Sequence, residues 1–520
     1  MITMDSSQFA IPLSTTMKIK EILPHLADNS ILSLDVKSVI SDSRKVTAGD
    51  LFIAITCDAV IDNIRSALKN KAAAVVLEAA IYNKINQDFP NASFLVVTNA
   101  REALAIAAAH LYTTQPQHIF AVTGTNGKSS VMTFIRQILG ELGQTAASFG
   151  TVGLELTAQP EIASLINVPK LTTPDAMSMH RMLHQLASCG IHNFAFEASS
   201  HGLDQYRLHQ VRVGSAGFTN LTQDHLDYHD SMEAYFDAKI KLFTEVLSEG
   251  GAATINVGCP YGKSLALMVR QKNKRVLTYA VGAPADLEAS KIHLEAGRIK
   301  FNLFFESKDY GQQEIAMAGI FQVENILCAI GMVRGMGYSL TDILKVIPRI
   351  KSAPGRMELV GHRSNGAAVY VDYAHTPDAL MRALQALRFH VKEGHRLHVV
   401  FGCGGNRDAL KRSLMGKIAD DFADVIIVTD DNPRHEDPSF IRAQVLANCP
   451  RGKDIGDRKQ AIEQAIANLN TGDILLIAGK GHETGQLIKD EIIPFDDAQV
   501  AAKALKKYEA ANRSQTILAR

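Results

Sequence analysis

Four apolar runs in the last third of the chain each end in a polar or glycine-rich tail: AVYVDYAHTPD from Ala368, LHVVFGCGGNRD from Leu397, DVIIVTDDNPR from Asp424 and DILLIAGKGHE from Asp473. Short apolar runs bounded by turn residues read as buried strands, and the helical patterns between them require parallel connections. Ligands of open parallel sheets gather at the carboxyl ends of the strands, so the four tails should converge on one site. The same alternation of Val-, Ile- and Phe-rich runs with helix-like segments fills almost the whole sequence. The expected fold class is therefore α/β, with largely parallel sheets.

At 520 residues and 46% hydrophobic, the chain is too long for one core and has apolar material for several. Three domains are expected. LFIAIT (51–56), AAAVVLE (72–78) and FLVVTN (94–99) read as strands of the first, closed by the helical pattern REALAIAAAHLY, with a break near TTQPQ. KSAPGRM reads as a second turn, which sets the divisions at 1–115, 116–352 and 353–520. Lys plus Arg equals Asp plus Glu at 54 each, so no global field draws the chain to nucleic acid or anionic lipid. Six scattered cysteines without CxxC spacing suit a reducing compartment, and no apolar run reaches transmembrane length. A cytoplasmic monomer without membrane insertion is expected.

The second region opens with HIFAVTG, then Gly124, Thr125, Asn126, Gly127, Lys128 and Ser129, then the helical pattern SSVMTFIRQILGELG. Strand, glycine loop and helix N-terminus in this order can cradle phosphate, with Lys128 on the terminal phosphates and Ser129 on Mg²⁺. The strict phosphate-loop pattern needs Gly at 122, where this chain has Val122. The plain reading is a glycine turn with a surface lysine. Downstream, Glu197 ends an apolar run as a metal carboxylate often does, and His225 lies in a polar loop with Asp224, Asp227 and His229. Taken alone, each is more often a solvated or capping residue; beside a phosphate loop that balance reverses for Glu197 and His225, which become candidates for nucleotide chemistry.

DSRKVTAGDLF, GTNGKS, LTTPD, EASSHGLDQYR, FTNLTQDHLDYH, AYFDAK, GIFQVEN, PGRMELV, VDYAHTPDAL, GCGGNRD, TDDNPR and AGKGHE follow one another along nearly the whole chain. In this order they resemble the Mur ligase family. The resemblance implies three domains, a central P-loop-type, mostly parallel sheet and a Rossmann-like C-terminal domain, binding in turn a UDP-sugar, ATP and an amino acid. It implies an ADP-forming ligase that adds meso-2,6-diaminopimelate to UDP-MurNAc-L-Ala-D-Glu through an acyl phosphate. Lys128, Glu197, His225 and Lys239 would be catalytic, and Ser129, Glu197, His225 and a carbamylated Lys239 would hold Mg²⁺. Read from its own surroundings, Lys239 in AYFDAKIKLF is an ordinary exposed helix lysine.

Further ATP contacts implied by the resemblance are Asn325, Arg356 and Asp372, although GIFQVEN by itself reads equally as a helix start with a capping Asn. Ser43, Thr172, Thr173, Ser199, Gln205 and Arg207 would hold the UDP-muramoyl-peptide. ITCDAVIDN stands where the family has a Gly-rich segment containing Asp-Gly. Arg407, Asp431, Asn432, Pro433, Arg434, Gly479 and Glu483 would hold diaminopimelate, an Arg for its distal carboxylate and an acid for its distal ammonium. Lysine lacks that carboxylate, which argues against a lysine-adding relative. Asn406 replaces the usual Asp of the GCGG turn, and NVGCP replaces a more acidic segment. DNPR and the muramoyl-peptide residues also argue against a folylpolyglutamate-type enzyme. A nucleotide-binding regulator without catalysis is disfavoured by the intact Lys128, Glu197, His225 and Lys239.

Overall fold

The computed structural model describes residues 16–26, 30–157, 160–163, 165–168, 171–222, 228–295 and 297–518. The chain divides into two compact units, Met1–Thr278 with Gly331–Tyr338, and Tyr279–Ile330 with Ser339–Arg520. Among the described residues no helix is long and apolar enough to cross a membrane.

Besides a two-stranded pairing of Met17–Lys18 with Asp35–Val36, the described residues of the first unit take part in two larger sheets. Strands Val39–Ile40, Leu51–Ile53, Ala74–Glu78 and Phe94–Val97 pair in chain order, all parallel. Their side chains alternate between two cores: Leu51, Ile53 and Val76 face one, and Phe52, Val75 and Leu77 face the other. Burial on both faces explains the unbroken apolar runs in the sequence.

In the second sheet the strand His118–Thr123 lies between Asn193–Glu197 and Val213–Phe218, both parallel to it. Leu247–Asn256 extends the sheet beyond Val213–Phe218, and Ala146–Gly150 beyond Asn193–Glu197. The register sets Glu197 beside Val122 and Phe218 beside Thr123. Three strands thus end level, and the segments that follow them at Gly124, Ala198 and Thr219 lie side by side.

The second unit carries an antiparallel meander, Leu287–Glu295, Arg298–Phe305 and Lys308–Ile315. Its six-stranded sheet runs in the spatial order Glu358–His362, Ala368–Asp372, Ile474–Ala478, Leu397–Phe401, Val425–Val428, Gly452–Asp454, parallel except for the first pair. The four strands with polar tails are neighbours, so their carboxyl ends do share one edge. Helices Pro377–Arg388, Leu410–Phe422 and Pro438–Leu446 cover one face, and Arg458–Ala467 with Asp497–Leu518 the other. Between those last two helices the fully buried Arg458 guanidinium donates both Nε and Nη2 to the Asp497 carboxylate at 2.7 Å.

Candidate active site

Gly124 and Gly127 shape the phosphate loop. Gly124 has φ +142°, and a Cβ there would lie 2.0 Å from Thr219 Oγ1, so no larger residue fits against the neighbouring strand end. Gly127 caps the helix Lys128–Glu141 at φ +88°. The loop is bound to the next segment: Thr125 N donates to Asn220 O at 2.9 Å, and Asn126 N to Asn220 Oδ1 at 3.0 Å. Those two amides point inward, and the first helical turn is left as the donor array for an anion. Lys128 folds back over the loop, donating to Gly124 O at 2.9 Å and Thr125 O at 2.7 Å.

Ser129 Oγ donates to Glu197 Oε1 at 2.7 Å. Glu197 is 1% exposed and also accepts from Thr151 N at 2.9 Å and Thr151 Oγ1 at 3.3 Å. Lys239 is buried. It is 1% exposed, donates to Gly124 O at 3.0 Å, and sits 4.3 Å from the centre of the Tyr235 ring. The surface reading of this lysine fails because the helix Met232–Lys241 presents it inward to the loop. His225, Asp224 and Asp227 lie outside the described residues. Among the described residues no group of three His, Cys, Asp or Glu side chains forms a metal cluster.

From Glu197 a hydrogen-bonded path leads to the other predicted residues. Thr151 Oγ1 meets Thr172 Oγ1 at 3.5 Å, and Thr173 Oγ1 donates to Glu197 O at 2.8 Å while accepting from Ser199 N at 3.0 Å. Ser199 caps the short helix Ser200–Asp204. Arg207 Nη1 donates to Thr173 O at 2.7 Å, and its Nη2 to Gln205 Oε1 at 2.8 Å. Ser43 belongs to a separate cluster, where its Oγ donates to Asn63 Oδ1 at 3.0 Å and Asn63 Nδ2 reaches Cys57 Sγ at 3.8 Å.

In the second unit the DNPR segment folds onto the GKGHE tail. Asn432 Nδ2 donates to Glu483 Oε2 at 2.9 Å, and its Oδ1 accepts from the fully buried Lys480 at 3.0 Å. Lys480 also donates to Glu483 Oε2 at 3.0 Å. Burial opposes ionisation of Glu483, but the Lys480 charge and these hydrogen bonds outweigh it and hold the carboxyl below its usual range. Gly479 has φ +112°, where a Cβ would come 2.7 Å from Asp431 Oδ2. Arg434, after Pro433, has φ +52° and donates to Gly405 O at 2.9 Å. Arg407 is exposed on the neighbouring turn. Asn406 takes φ +50° there, a conformation Asn tolerates better than most residues, and its Oδ1 accepts from His435 N at 3.0 Å.

Arg356 lies 4.7 Å from the centre of the Tyr373 ring. Desolvation pushes the Asp372 carboxyl above its usual range against the opposing charge of Arg356 and the N–H groups of Met357 and Ala374. Asn325, in the helix Phe321–Gly335, is 5% exposed and donates to Gln322 Oε1 at 3.2 Å.

Residues 122–333 match the Mur ligase middle domain and residues 355–481 the Mur ligase glutamate ligase domain. A UDP-N-acetylmuramoyl-L-alanyl-D-glutamate–2,6-diaminopimelate ligase of Bradyrhizobium diazoefficiens is 44% identical over 94% of this chain and 99% of its own. The chain belongs to the Mur ligase family. An enzyme of the same name from Rickettsia rickettsii is 41% identical over 91% of this chain and 96% of its own. A solved structure of a ligase bearing the same name superposes with a TM-score of 0.71 at 33% identity, covering 95% of this chain and 99% of the other. Folylpolyglutamate synthase of Thermotoga maritima, at 16% identity and a TM-score of 0.57, shares the fold.

Within this Mur ligase, four residues that sequence reasoning missed join the clusters. Thr151 grips Glu197, Asn220 ties down the phosphate loop, Lys480 neutralises Glu483, and Arg101 Nη1 reaches Gln205 Oε1 at 3.4 Å. Asn220 and Lys480 stand inside the motifs FTNLTQDH and AGKGHE, which was a usable signal. Thr151 and Arg101 carried none, because only chain folding brings them to these partners.

Proposed function

We propose that this Mur ligase joins 2,6-diaminopimelate, in its meso form, to UDP-MurNAc-L-Ala-D-Glu, with ATP cleaved to ADP and phosphate, in the cytoplasm. The observation that carries the substrate reading is near-full-length identity of 44% to a ligase named for that reaction. We assign the acceptor nucleotide to residues 1–115, ATP to 116–352 and the amino acid to 353–520.

Ser129 Oγ and the buried Glu197 carboxylate are hard oxygen donors 2.7 Å apart beside the loop, and they fit Mg²⁺. His225 is a further ligand in this reading. When bound, the ion offsets the repulsion between the triphosphate and the acceptor carboxylate. Lys239 fits only as its carbamate, since an ammonium repels a cation whereas the carbamate offers anionic oxygens.

In this reading the glutamate γ-carboxylate of the acceptor attacks the γ-phosphorus, the bond to the β-phosphate oxygen breaks, and ADP leaves. The diaminopimelate amine then attacks the acyl carbon, phosphate departs with its oxygen, and the amine gives up a proton as the amide forms. Lys128 would hold the terminal phosphate, with Gly124, Thr125, Asn126 and Gly127 shaping its cradle. Asn325, Arg356 and Asp372 would hold the rest of ATP. Thr172, Thr173, Ser199, Gln205 and Arg207 would orient the peptide, and Ser43 the uridine end. Arg434 and Arg407 suit the distal carboxylate of diaminopimelate, and Glu483, within Asp431, Asn432 and Gly479, its distal ammonium.

The test is purified protein with ATP, Mg²⁺, UDP-MurNAc-L-Ala-D-Glu and candidate amino acids, followed by mass spectrometry of the nucleotide product. A tripeptide product containing diaminopimelate is expected. No product with any amino acid would refute the ligase reading, and a lysine product the substrate.

A further inference from the structure

Two guanidinium groups meet on one atom. Gln205 Oε1 accepts from Arg207 Nη2 at 2.8 Å and from Arg101 Nη1 at 3.4 Å. Arg207 spends its other arm on the carbonyl of Thr173. Among the described residues, the guanidinium hydrogen bonds of both arginines go to uncharged oxygens. A neutral amide cannot cancel two positive charges held this close, so the pair repels itself unless an anion joins it. Burial and the Arg101 charge both push the Arg207 guanidinium toward its neutral form. The fields of Asp175 and Tyr228 oppose them without reversing the fall, and the Asp175 carboxylate caps a helix, accepting from Ser178 N at 3.0 Å.

The spacer is held in one orientation. Gln205 Nε2 donates to Tyr228 Oη at 3.1 Å, Tyr228 donates to Asp204 Oδ2 at 3.0 Å, and Asp204 Oδ1 accepts from Lys241 at 2.7 Å. The amide therefore keeps its oxygen toward the arginines. Arg101 comes from the helix Ala100–Leu111 and Arg207 from the turn after Ser200–Asp204. Two regions of the first unit thus converge on a site rich in forked donors, which suit carboxylate or phosphate oxygens.

We propose that Arg101 and Arg207 form a two-guanidinium clamp for one anionic group of the peptide-nucleotide acceptor, with Gln205 as the spacer that sets their separation. The clamp rests on the reading of Arg207 as an acceptor residue. Its ligand is an oxyanion, either a carboxylate of the peptide or the diphosphate of the nucleotide.

The experiment measures KM for UDP-MurNAc-L-Ala-D-Glu and for ATP, kcat, thermal midpoint and inhibition by UDP-N-acetylglucosamine, for the parent, Arg101→Gln, Arg101→Lys and Arg207→Gln. Arg101→Gln is expected to raise the acceptor KM about tenfold or more, with kcat, ATP KM and thermal midpoint little changed. Arg101→Lys should recover part of the loss, because the charge returns without the fork. Equal weakening of UDP-N-acetylglucosamine inhibition assigns the clamp to the diphosphate, and unchanged inhibition assigns it to the peptide carboxylate. If Arg207→Gln raises the acceptor KM and Arg101→Gln does not, the clamp is wrong and the acceptor site stands. If neither moves it, the acceptor-site reading falls as well. A fall in kcat or thermal midpoint without a rise in acceptor KM assigns Arg101 a structural role and overturns the proposal.

Discussion

Lys128 and Lys239 donate to the same oxygen, the carbonyl of Gly124, at 2.9 and 3.0 Å. One ammonium comes from the phosphate loop and the other from a helix more than a hundred residues downstream. Lys239 is buried to 1% exposure beside this like charge, with the Gly124 carbonyl and the Tyr235 ring among its partners. Two ammonium groups this close repel, and in the proposed reading phosphate against Lys128 and a carbamate on Lys239 relieve that repulsion.

Lys239→Ala is therefore expected to lower the ligation rate by about 10²-fold or more. Small carboxylic acids should restore part of it by occupying the anion position, and Lys239→Arg, which cannot form the carbamate, should stay inactive. Initial rates with and without added acetate check this; a fully active Lys239→Arg protein would remove the carbamate from the account.

Glu197→Gln keeps the side-chain shape that Ser129 and Thr151 hold but removes the negative charge. A kcat loss of about 10²-fold is expected, together with a higher half-saturating Mg²⁺ concentration. The readout is the Mg²⁺ dependence of the initial rate. An unshifted half-saturation would take Glu197 out of metal binding.

Arg434→Ala should damage the use of diaminopimelate while leaving ATP binding intact, since its guanidinium bonds Gly405 O and Asn432 O and no residue assigned to ATP. The parent should discriminate against lysine by about 1–3 kcal/mol, because lysine lacks the distal carboxylate that the Arg434 and Arg407 forks would bind. Competition between the two amino acids at equal concentration, on parent and variant, measures both effects. Equal lysine incorporation by the parent would refute the substrate and leave the ligase.

Asp497→Ala strands the fully buried Arg458 guanidinium. The expected cost is about 3–5 kcal/mol, whereas replacing both partners with Leu and Met recovers most of it. Urea unfolding of the three proteins distinguishes the outcomes. A single variant as stable as the parent would mean that the pair is solvated.

His180 is fully buried, and desolvation drives its imidazole down to about 4. Its ring Nε2 lies 3.0 Å from His209 O, a bond that opposes the fall without cancelling it. In the unfolded chain the ring takes a proton below about pH 6.5, which the folded ring refuses until about 4. More protons on the unfolded state mean that stability falls as pH drops through this window, by about 2 kcal/mol between pH 6.5 and 5. His180→Gln should flatten that part of the stability curve, read from urea midpoints at several pH values. An unchanged slope would assign the acid sensitivity to other groups.

The sequence by itself determined the strand, glycine loop and helix of GTNGKS and the four apolar runs whose tails share one edge of the second unit's sheet. These features are local: hydrophobic period, turn chemistry and strand length fix them, and parallel connection then fixes where the strand ends lie. It also determined the family, through many short motifs in one order. Only the tertiary structure decided that Lys239 is buried, since its helix has the spacing of a surface helix and nothing nearby in sequence marks the face turned toward Gly124. The same holds for Thr151 on Glu197, 46 residues away, and for Arg101 on Gln205, 104 residues away. Contacts across such separations depend on sheet order and register, which no local pattern encodes.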